Sequence, residues 1–391
     1  MRILYLCGRE PDYIRNLMLR SALQRSYDVV EITSSSRSLV RRNAAVALRY
    51  LLANRRAFDL IVVGFYGQPL MPGVRLWADA PIVFDAYVST YDTLCFDRCW
   101  FRPRSLPGRL AYLLDLWSCR WATRLLLDTQ AHADYFMQTF AVPADKVSTV
   151  YVGCDEGLFV PRPAAPRAAL NSGRASPTPT FDVFTYTSFL RLHGVEHILD
   201  TAKRLAGQRD LVFTVGGSGP RLAEMRRLAN DLGLENVRFP GWIPFERLPE
   251  RIAMADVCLG GHFSTVPKAG RVIATKTFQF LAMAKPTVVG DNPANREVMT
   301  HGEDACLCPM ADPEALAETI HGLYRDVDLR ARLASNGRRL FEQRFSLAAQ
   351  TAQLQGIVQA TVAGRLAQPV LGHDQVGEQA HHADDQPGDD Q

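Results

Sequence analysis

The chain has 391 residues, of which 47% are apolar, 9% aromatic and 22% charged, and this ordinary globular composition excludes collagen-like, coiled-coil and wholly disordered proteins. Six carboxylates but no Lys or Arg follow Arg365, so the net charge of +3 conceals a more basic body. That charge is too dilute to indicate a duplex nucleic acid partner, and it suits an anionic small ligand or an anionic membrane surface.

Short apolar runs alternate with helical patterns through the first 150 residues. Periodicity predicts helices that include 13–25 and 111–122. The alternation of strand and helix predicts a parallel, doubly wound sheet. The predicted strands cover residues 2–7, 28–32, 60–63, 81–84, 124–128 and 147–150.

A Pro-, Ala- and Ser-rich stretch at 161–180 interrupts the pattern and predicts a linker. The alternation then restarts, which predicts an α/β protein with two doubly wound, Rossmann-like domains facing a central cleft, at 1–160 and 181–345. We expect residues 346–365 to form a helix, which could return to the first domain, and the acidic tail 366–391 to be disordered.

The predicted elements of the second domain follow the same order as those of the first. Its predicted strands are 181–185, 211–215, 237–239, 257–259 and 287–289. Its predicted helices are 197–205, 221–232, 313–324 and 329–341, together with a short helix that begins near Lys276.

Several protein classes are disfavoured by missing patterns. The apolar run at the amino terminus is shorter than the core of a signal peptide, and no run approaches the length of a membrane span. The eight cysteines lack zinc-site spacing, so we expect reduced thiols in a cytoplasmic protein. Neither a GxGxxG fingerprint nor a P-loop occurs, which disfavours nicotinamide enzymes and P-loop NTPases.

Lysine is scarce, at 5 residues against 39 arginines, yet three of the five lie between 268 and 285. Lys268, Arg271 and Lys276 surround a loop that follows a strand and leads into a short helix. Cations at a helix amino terminus suit a phosphate or diphosphate. The alternative interpretation is a solvated basic start of a helix.

Four segments of the second domain carry a resemblance to a known family. The chain resembles GT-B glycosyltransferases, close to the retaining enzymes of family 4 (glycosyl transferases group 1). The similarity spans roughly 1–345 and is sharpest over 183–300. The segments are YTSFLRLHGVEHILDTAKRL, FTVGGSGPRLAEM, VRFPGWIPFERLPERIAMADVCL and TKTFQFLAMAKPTVVGD, in this order.

The resemblance implies a nucleotide-diphosphate sugar donor, such as a UDP or GDP sugar, bound mainly by the second domain. Ser188 and His193 occupy the places of an Arg and a Lys that the family presents to the diphosphate. The family's paired glutamates fall on Arg271 and Gln279. We expect Lys268, Arg271 and Lys276 to supply the lost positive charge, with Arg271 and Lys276 neutralising the leaving group.

Other donor contacts follow from position within the matching motifs. Gln279 would take the place of the glutamate at the ribose hydroxyls as a neutral amide. Ile243 would meet the nucleobase through its backbone, and Gly217 and Gly270 lie in the two loops that we assign to the donor. Because the first glutamate is replaced, recognition of the transferred sugar is an open question.

The first domain is expected to hold the acceptor. Asp85 and Asp92 follow the predicted strand 81–84, where cleft residues lie in such folds, and either could position the acceptor hydroxyl or take its proton. Helix capping or ion pairs with Arg98 and Arg102 are alternative roles. In a retaining, front-face reaction the leaving phosphate itself can accept the proton. No DxD-like pair ends a strand, so we expect neither a cofactor nor a divalent metal.

The first domain also carries basic and aromatic residues in a pattern that suits an anionic bilayer. A helical wheel of residues 37–56 separates arginines from apolar side chains, and Trp100, Phe101, Trp117 and Trp121 lie among arginines. The alternative is an ordinary helix packed on the sheet. The membrane interpretation predicts an acceptor carried on a lipid and peripheral contact with the cytoplasmic face of the inner membrane.

The leading hypothesis is therefore a glycosyltransferase that moves a sugar from a nucleotide-diphosphate donor to a glycan, with a lipid-linked acceptor as one option, in cell-envelope or exopolysaccharide synthesis. Retention rests on the resemblance alone. Two alternatives stay open at this point. One is a nucleotide-sugar epimerase of the same fold, and the other is a non-catalytic relative that binds nucleotide sugars.

Overall fold

The computed structural model of the chain describes residues 1–163 and 180–366, with side chains through residue 364. These residues form two parallel sheets of six strands each. The predictions made for the centre of the linker at 164–179 and for the tail from 367 onward lie outside the described residues.

The first domain contains one of these sheets, and its strands have the order β2-β1-β3-β4-β5-β6. All neighbouring strands pair in parallel, as short apolar strands separated by helices require. The strands are β1 (Arg2–Leu6), β2 (Asp28–Ile32), β3 (Leu60–Val63), β4 (Ile82–Asp85), β5 (Arg124–Leu127) and β6 (Val147–Thr149).

Helices cover both faces of this sheet because successive side chains of its strands point to opposite faces and are apolar on both. Leu4 and Leu6 share one buried cluster with helices α2, α3, α5 and α6, whereas Ile3 and Tyr5 share the opposite cluster with α1. A π-helical turn, Thr93–Asp97, follows α4. The helices are α1 (Ile14–Gln24), α2 (Leu39–Leu52), α3 (Met71–Trp77), α4 (Thr90–Asp92), α5 (Leu106–Trp121) and α6 (Gln130–Phe140).

The second domain repeats this plan with the strand order β12-β11-β10-β7-β8-β9. Its strands are β7 (Phe181–Thr187), β8 (Leu211–Gly217), β9 (Val237–Gly241), β10 (Val257–Leu259), β11 (Thr287–Asp291) and β12 (Cys306–Pro309). Its helices are α7 (Val195–Arg204), α8 (Leu222–Asp231), α9 (Leu248–Ala253), α10 (Thr275–Ala282), α11 (Pro293–Arg296), α12 (Pro313–Arg325) and α13 (Val327–Arg344).

The last described helix, α14 (Leu347–Leu366), leaves the second domain and packs against α1 of the first. Leu354 and Val358 enter the same buried cluster as α1. The buried amide of Gln350 donates to the backbone oxygens of Val152 and Phe345, at 3.2 and 3.1 Å. The chain therefore crosses between the domains twice, and both crossings lie side by side.

The predicted fold class is confirmed, since both sheets are parallel and carry helices on both faces. Strands β7 and β8 extend two residues beyond their predicted ends, because Tyr186 and Thr187 pair with Gly216 and Gly217. Strand β12 was not predicted, since its short sequence CLCP lacks the β-branched residues typical of strands.

Candidate active site

Lys276 lies in the first turn of α10 and points to the carboxyl end of β7. Its ammonium group donates to Thr185 Oγ1 and to the backbone oxygen of Tyr186, both at 3.1 Å. Burial lowers the pKa of Lys276 to about 7. Gly261 faces this ammonium, since a Cβ added there would lie 3.5 Å from Nζ. Lys276 is thus a buried cation whose charge a bound anion would stabilise.

Two stacked histidines lie beside Lys276, with ring centroids of His193 and His262 5.3 Å apart. Leu190 N–H donates to Nδ1 of His193, and the Thr187 hydroxyl lies 2.6 Å from the same nitrogen. Because Nδ1 accepts, the neutral ring carries its proton on Nε2. Burial and then the charge of Lys276 hold the pKa of His193 well below its usual range.

His262 is the member of this pair that the sequence interpretation did not single out. Burial, followed by the charges of Lys276 and Lys268, lowers its pKa to about 3. Its Nδ1 is buried and has no hydrogen-bond partner among the described residues. An unpartnered buried polar nitrogen beside a buried lysine is a position where a polar ligand atom would be favourable.

The glycine-rich loop after β8 packs directly on the loop after β7. Gly217 has φ +116°, and a Cβ there would lie 1.9 Å from the backbone oxygen of Thr187. At Gly219 a Cβ would lie 1.8 Å from the oxygen of Ser188. Only glycine permits this approach. The two loops, with the exposed Ser188 between them, form one wall beside His193.

Gln279 and Ile243 lie next to this wall. The buried Gln279 accepts a hydrogen bond from the Tyr186 hydroxyl, and Ile243 packs over Gly216, where an added Cβ would lie 2.6 Å from its Cδ1. Lys276 and Gln279 are one helical turn apart in α10 and both contact Tyr186. The structure therefore brings Ser188, His193, Gly217, Ile243, Lys276 and Gln279 to one end of the second sheet.

Arg271 and Lys268 face the first domain rather than this wall. Arg271 Nη2 lies 2.6 Å from Asp92 Oδ1, and its guanidinium lies 4.0 Å from the ring centroid of Tyr135. Lys268 Nζ lies 3.5 Å from Asp97 Oδ2. Two of the three expected phosphate-binding cations are therefore engaged by carboxylates across the cleft.

Comparison with known proteins identifies the enzyme class. Residues 182–326 match the family model described as Glycosyl transferases group 1. The α-D-kanosaminyltransferase of Streptomyces kanamyceticus is 23% identical over 69% of this chain and 67% of its own length. The MMP α-(1→4)-mannosyltransferase of Mycolicibacterium hassiacum is 26% identical over 91% of this chain and 84% of its own. HepE of Anabaena, solved in complex with UDP, superposes with a TM-score of 0.70 at 18% identity, covering 92% of this chain and 100% of its own.

The chain is a GT-B glycosyltransferase. The GT-B architecture and the enzyme class that the sequence motifs predicted are thereby confirmed. The family match covers the strands and loops that hold Lys276 and Gln279.

One predicted acceptor residue of this glycosyltransferase lies elsewhere. Asp85 ends β4, but its carboxylate pairs with the Arg15 guanidinium at 2.9 Å, and both side chains are completely buried. Arg15 also donates to the backbone oxygen of Val150. A carboxylate enclosed in this way neutralises a buried cation and does not reach the cleft, which corrects the expectation that Asp85 contacts an acceptor.

Asp92, the other predicted acceptor residue of the glycosyltransferase, does lie at the domain boundary. The capping interaction at α4 comes from Ser89, whose hydroxyl accepts from the Asp92 amide at 2.9 Å. The expected partners Arg98 and Arg102 are replaced by Arg271. Gly270 is open to space, since an added Cβ would meet only Pro293, at 3.9 Å.

Glu297 provides a further contact between the domains that the sequence did not reveal. Its carboxylate accepts from the backbone amides of Gln130 and Ala131 at the start of α6, at 2.8 and 2.6 Å. A carboxylate at a helix amino terminus is favourable because it meets unpaired N–H groups. These contacts span more than 160 residues of sequence, so local patterns carry no signal for them.

Within 1–163 and 180–366, none of the helices has the length and apolar character needed to cross a bilayer. The same ranges contain no cluster of three or more His, Cys, Asp or Glu side chains arranged to hold a metal ion.

Proposed function

We propose that this glycosyltransferase moves a hexosyl or related sugar from a nucleotide-diphosphate donor to a glycan acceptor, with retention of configuration and without a metal ion. The observation that carries the proposal is the buried Lys276, which lies beside two neutral histidines at the strand ends of the glycosyltransferase domain. A buried lysine in these surroundings favours an anion that stabilises its charged form.

The chemistry requires negative charge to be stabilised on the leaving diphosphate. The bond between the anomeric carbon and the β-phosphate oxygen breaks, and a bond to the acceptor oxygen forms. The proton of the acceptor hydroxyl passes to the leaving phosphate. Lys276 provides a cation at the departing oxygens, and His193 provides its Nε2 proton as a hydrogen-bond donor.

Arg271 has two possible partners in this scheme, Asp92 and the donor. In the present structure it binds Asp92, so the donor diphosphate competes with this carboxylate or adds to the pair from the other side. Asp92 would then become available to orient the acceptor hydroxyl. Lys268 is likewise paired with a carboxylate of the first domain, Asp97, with which the donor diphosphate would compete.

The names of the relatives support several details. Both curated relatives carry an α-linked product in their names, and HepE was solved with UDP. An α product formed from an α-configured donor corresponds to retention.

We propose a lipid-linked glycan as the acceptor, in cell-envelope or exopolysaccharide synthesis at the cytoplasmic face of the inner membrane. The support is the basic and apolar outer surface of the first domain, where exposed arginines lie among exposed tryptophans. A lipid-carried acceptor would reach the cleft from the membrane if this domain lies against it.

A panel of nucleotides tests the proposal. UDP, GDP, ADP, dTDP and CMP are compared by thermal shift with wild type, Lys276→Ala and the exposed control Lys203→Ala. A ligand at a hundredfold excess over Kd stabilises the folded state by about 2.7 kcal/mol. We expect one diphosphate to raise Tm in wild type and Lys203→Ala but not in Lys276→Ala. No rise with any of these nucleotides at millimolar concentration contradicts the donor site.

The non-catalytic relative is a second candidate because Arg271 stands in place of a family glutamate and is held by Asp92. The nucleotide sugar of the diphosphate identified above is incubated with lipid and glycan acceptors, and release of nucleoside diphosphate is measured. Turnover that depends on an acceptor supports transfer. Binding without turnover in every acceptor mixture supports the non-catalytic relative.

A further inference from the structure

Exposed apolar side chains are concentrated on one side of the first domain. Among the described residues, 14 of the 19 large apolar side chains that are exposed lie in the segments 39–52, 76–77 and 96–117. These segments belong to α2, α3 and the region from α4 to α5. Helix α2 contacts α3, and α3 contacts α5, so the segments form one continuous surface, which we call the α2–α3–α5 face.

The outer side of α5 carries an apolar stripe with helical spacing. Leu106, Leu110, Leu113 and Trp117 recur at intervals of four, three and four residues, and their exposed fractions are 73%, 57%, 43% and 43%. The buried side of the same helix is formed by other residues, which include Ala111 and Cys119. An amphipathic helix normally buries its apolar stripe, whereas the stripe of large apolar side chains on this helix faces outward.

A groove between α2 and α3 adds to this surface. It has a volume of about 90 Å³ and is lined almost entirely by apolar atoms, with Val46 and Tyr50 from α2 and Val74 and Trp77 from α3. Leu51 and Trp77 line its mouth, and each is 42% exposed. The face therefore combines the apolar stripe on α5 with the apolar groove between α2 and α3.

The charge around the α2–α3–α5 face has one sign. The segments 37–57, 71–79 and 96–121 contain ten exposed arginines, and their only exposed carboxylate is Asp79. Asp97, which is partly buried, is paired with Lys268 of the second domain. Arg120 also lies over the ring of Trp117, at 5.2 Å from the centroid. Interleaved arginine and tryptophan suit the interface of an anionic bilayer, where the rings enter the headgroup region and the guanidinium groups bind phosphates.

We propose that the α2–α3–α5 face docks on an anionic lipid bilayer. A second copy of the chain fits less well, because a two-fold contact would place these like-charged arginines against each other. The proposal extends the proposed function, since it assigns the surface on which a lipid-carried acceptor would be met. It does not depend on the identity of the donor.

Co-sedimentation with vesicles tests the proposal on the full chain. Vesicles of phosphatidylcholine containing about 30% phosphatidylglycerol are compared with pure phosphatidylcholine. The stripe variant is Leu110→Ser/Trp117→Ser, with Val327→Ser as the exposed apolar control. The charge variant is Arg109→Gln/Arg120→Gln, with Arg332→Gln/Arg339→Gln on α13 as its control.

We expect wild type and both controls to bind the anionic vesicles, and both test variants to bind at least about tenfold less. Raising the salt concentration should weaken the binding of wild type. Equal binding to the two kinds of vesicle, binding unchanged in either test variant, or no binding overturns the proposal. So does a dimer in sedimentation velocity that the stripe variant converts to a monomer. The nucleotide-induced Tm rise, measured in each variant, reports separately on the donor site.

Discussion

Arg271 and Asp92 form an ion pair of 2.6 Å between the two domains, although 179 residues separate them in sequence. The Asp92 side chain is 3% exposed and the Arg271 side chain 18%. A desolvated pair of this kind is costly to break, because removal of one partner leaves the other charge buried. The pair therefore couples the two domains in the present structure. It also engages the Arg271 guanidinium, which could otherwise bind the donor diphosphate.

A double-mutant cycle measures this coupling. We expect Asp92→Ala and Arg271→Ala each to lower the free energy of unfolding, and the double variant to lose about 1–3 kcal/mol less than the sum of the two. Chemical unfolding of the four proteins checks this. The exposed pair Arg247 and Glu250 serves as the control, and its coupling should be below about 1 kcal/mol. Additive effects at Asp92 and Arg271 would show that the contact contributes no coupling.

Nucleotide binding should weaken as pH rises above 7. Without ligand, burial lowers the pKa of Lys276 to about 7, so about half of the lysine is deprotonated at pH 7 and nearly all of it at pH 9. A bound diphosphate favours the charged form and raises this pKa, so binding takes up a proton. Kd should therefore rise by up to about tenfold per pH unit in this range.

Calorimetric titration between pH 7 and 9 checks this dependence. His193 and His262 also face Lys276, but burial and its charge keep their pKa values low, so both are neutral throughout the range. Lys276→Arg should flatten the profile because guanidinium stays charged, whereas Lys203→Arg should leave it unchanged. A Kd that does not vary with pH in wild type contradicts this role for Lys276.

Gln279 should distinguish ribose from deoxyribose. If its amide binds the ribose hydroxyls, wild type should bind the ribonucleoside diphosphate about tenfold more tightly than its 2′-deoxy analogue, which corresponds to one lost hydrogen bond. Gln279→Leu should bring this ratio close to one. Tyr186→Phe removes only the hydroxyl that contacts Gln279, so it should keep the preference. Equal ratios in wild type and Gln279→Leu would place the ribose elsewhere.

Asp85 should prove to be a structural residue. Asp85→Ala should destabilise the protein by about 3–5 kcal/mol because it leaves Arg15 charged and completely buried. The double variant Asp85→Leu/Arg15→Met should recover much of this loss and keep turnover. Unfolding and turnover are measured on both variants. A stable but inactive double variant would restore a catalytic role to Asp85.

Turnover should persist after chelation of divalent ions. Lys276, and Arg271 or Lys268 once released from their carboxylates, can supply the positive charge that a metal would otherwise provide. Initial rates are measured with excess EDTA and after addition of Mg²⁺ or Mn²⁺. A rate that disappears with EDTA and returns with either metal contradicts metal independence.

Much of the fold could be predicted because its information is local. The short apolar run 60–63 coincides with β3, since a central strand in a parallel sheet is buried on both faces and reads as continuous apolar sequence. Helix α3 was missed because its seven residues include Pro72 and Gly73, which ordinarily argue against a helix. Pro72 is tolerated there because it lies in the first turn.

The site was only partly readable from the sequence. Lys276 stood out in the sequence by the rarity of lysine and by its motif, and the structure places it at the carboxyl end of β7. Arg271 contacts Asp92 and Tyr135, which belong to the first domain. No local sequence pattern connects residues of different domains. His262 was missed for a similar reason, because its importance comes from stacking on His193, 69 residues earlier.

The central claim is that Lys276 recognises the β-phosphate of the donor, and a comparison of diphosphate with monophosphate binding tests it most directly. Calorimetry compares the nucleoside diphosphate selected in the thermal-shift panel with its monophosphate, on wild type, Lys276→Ala and Lys203→Ala. We predict that wild type and Lys203→Ala bind the diphosphate at least about tenfold more tightly, and that Lys276→Ala loses this preference. A preference for the diphosphate that survives in Lys276→Ala would contradict the assignment of this lysine to the donor diphosphate.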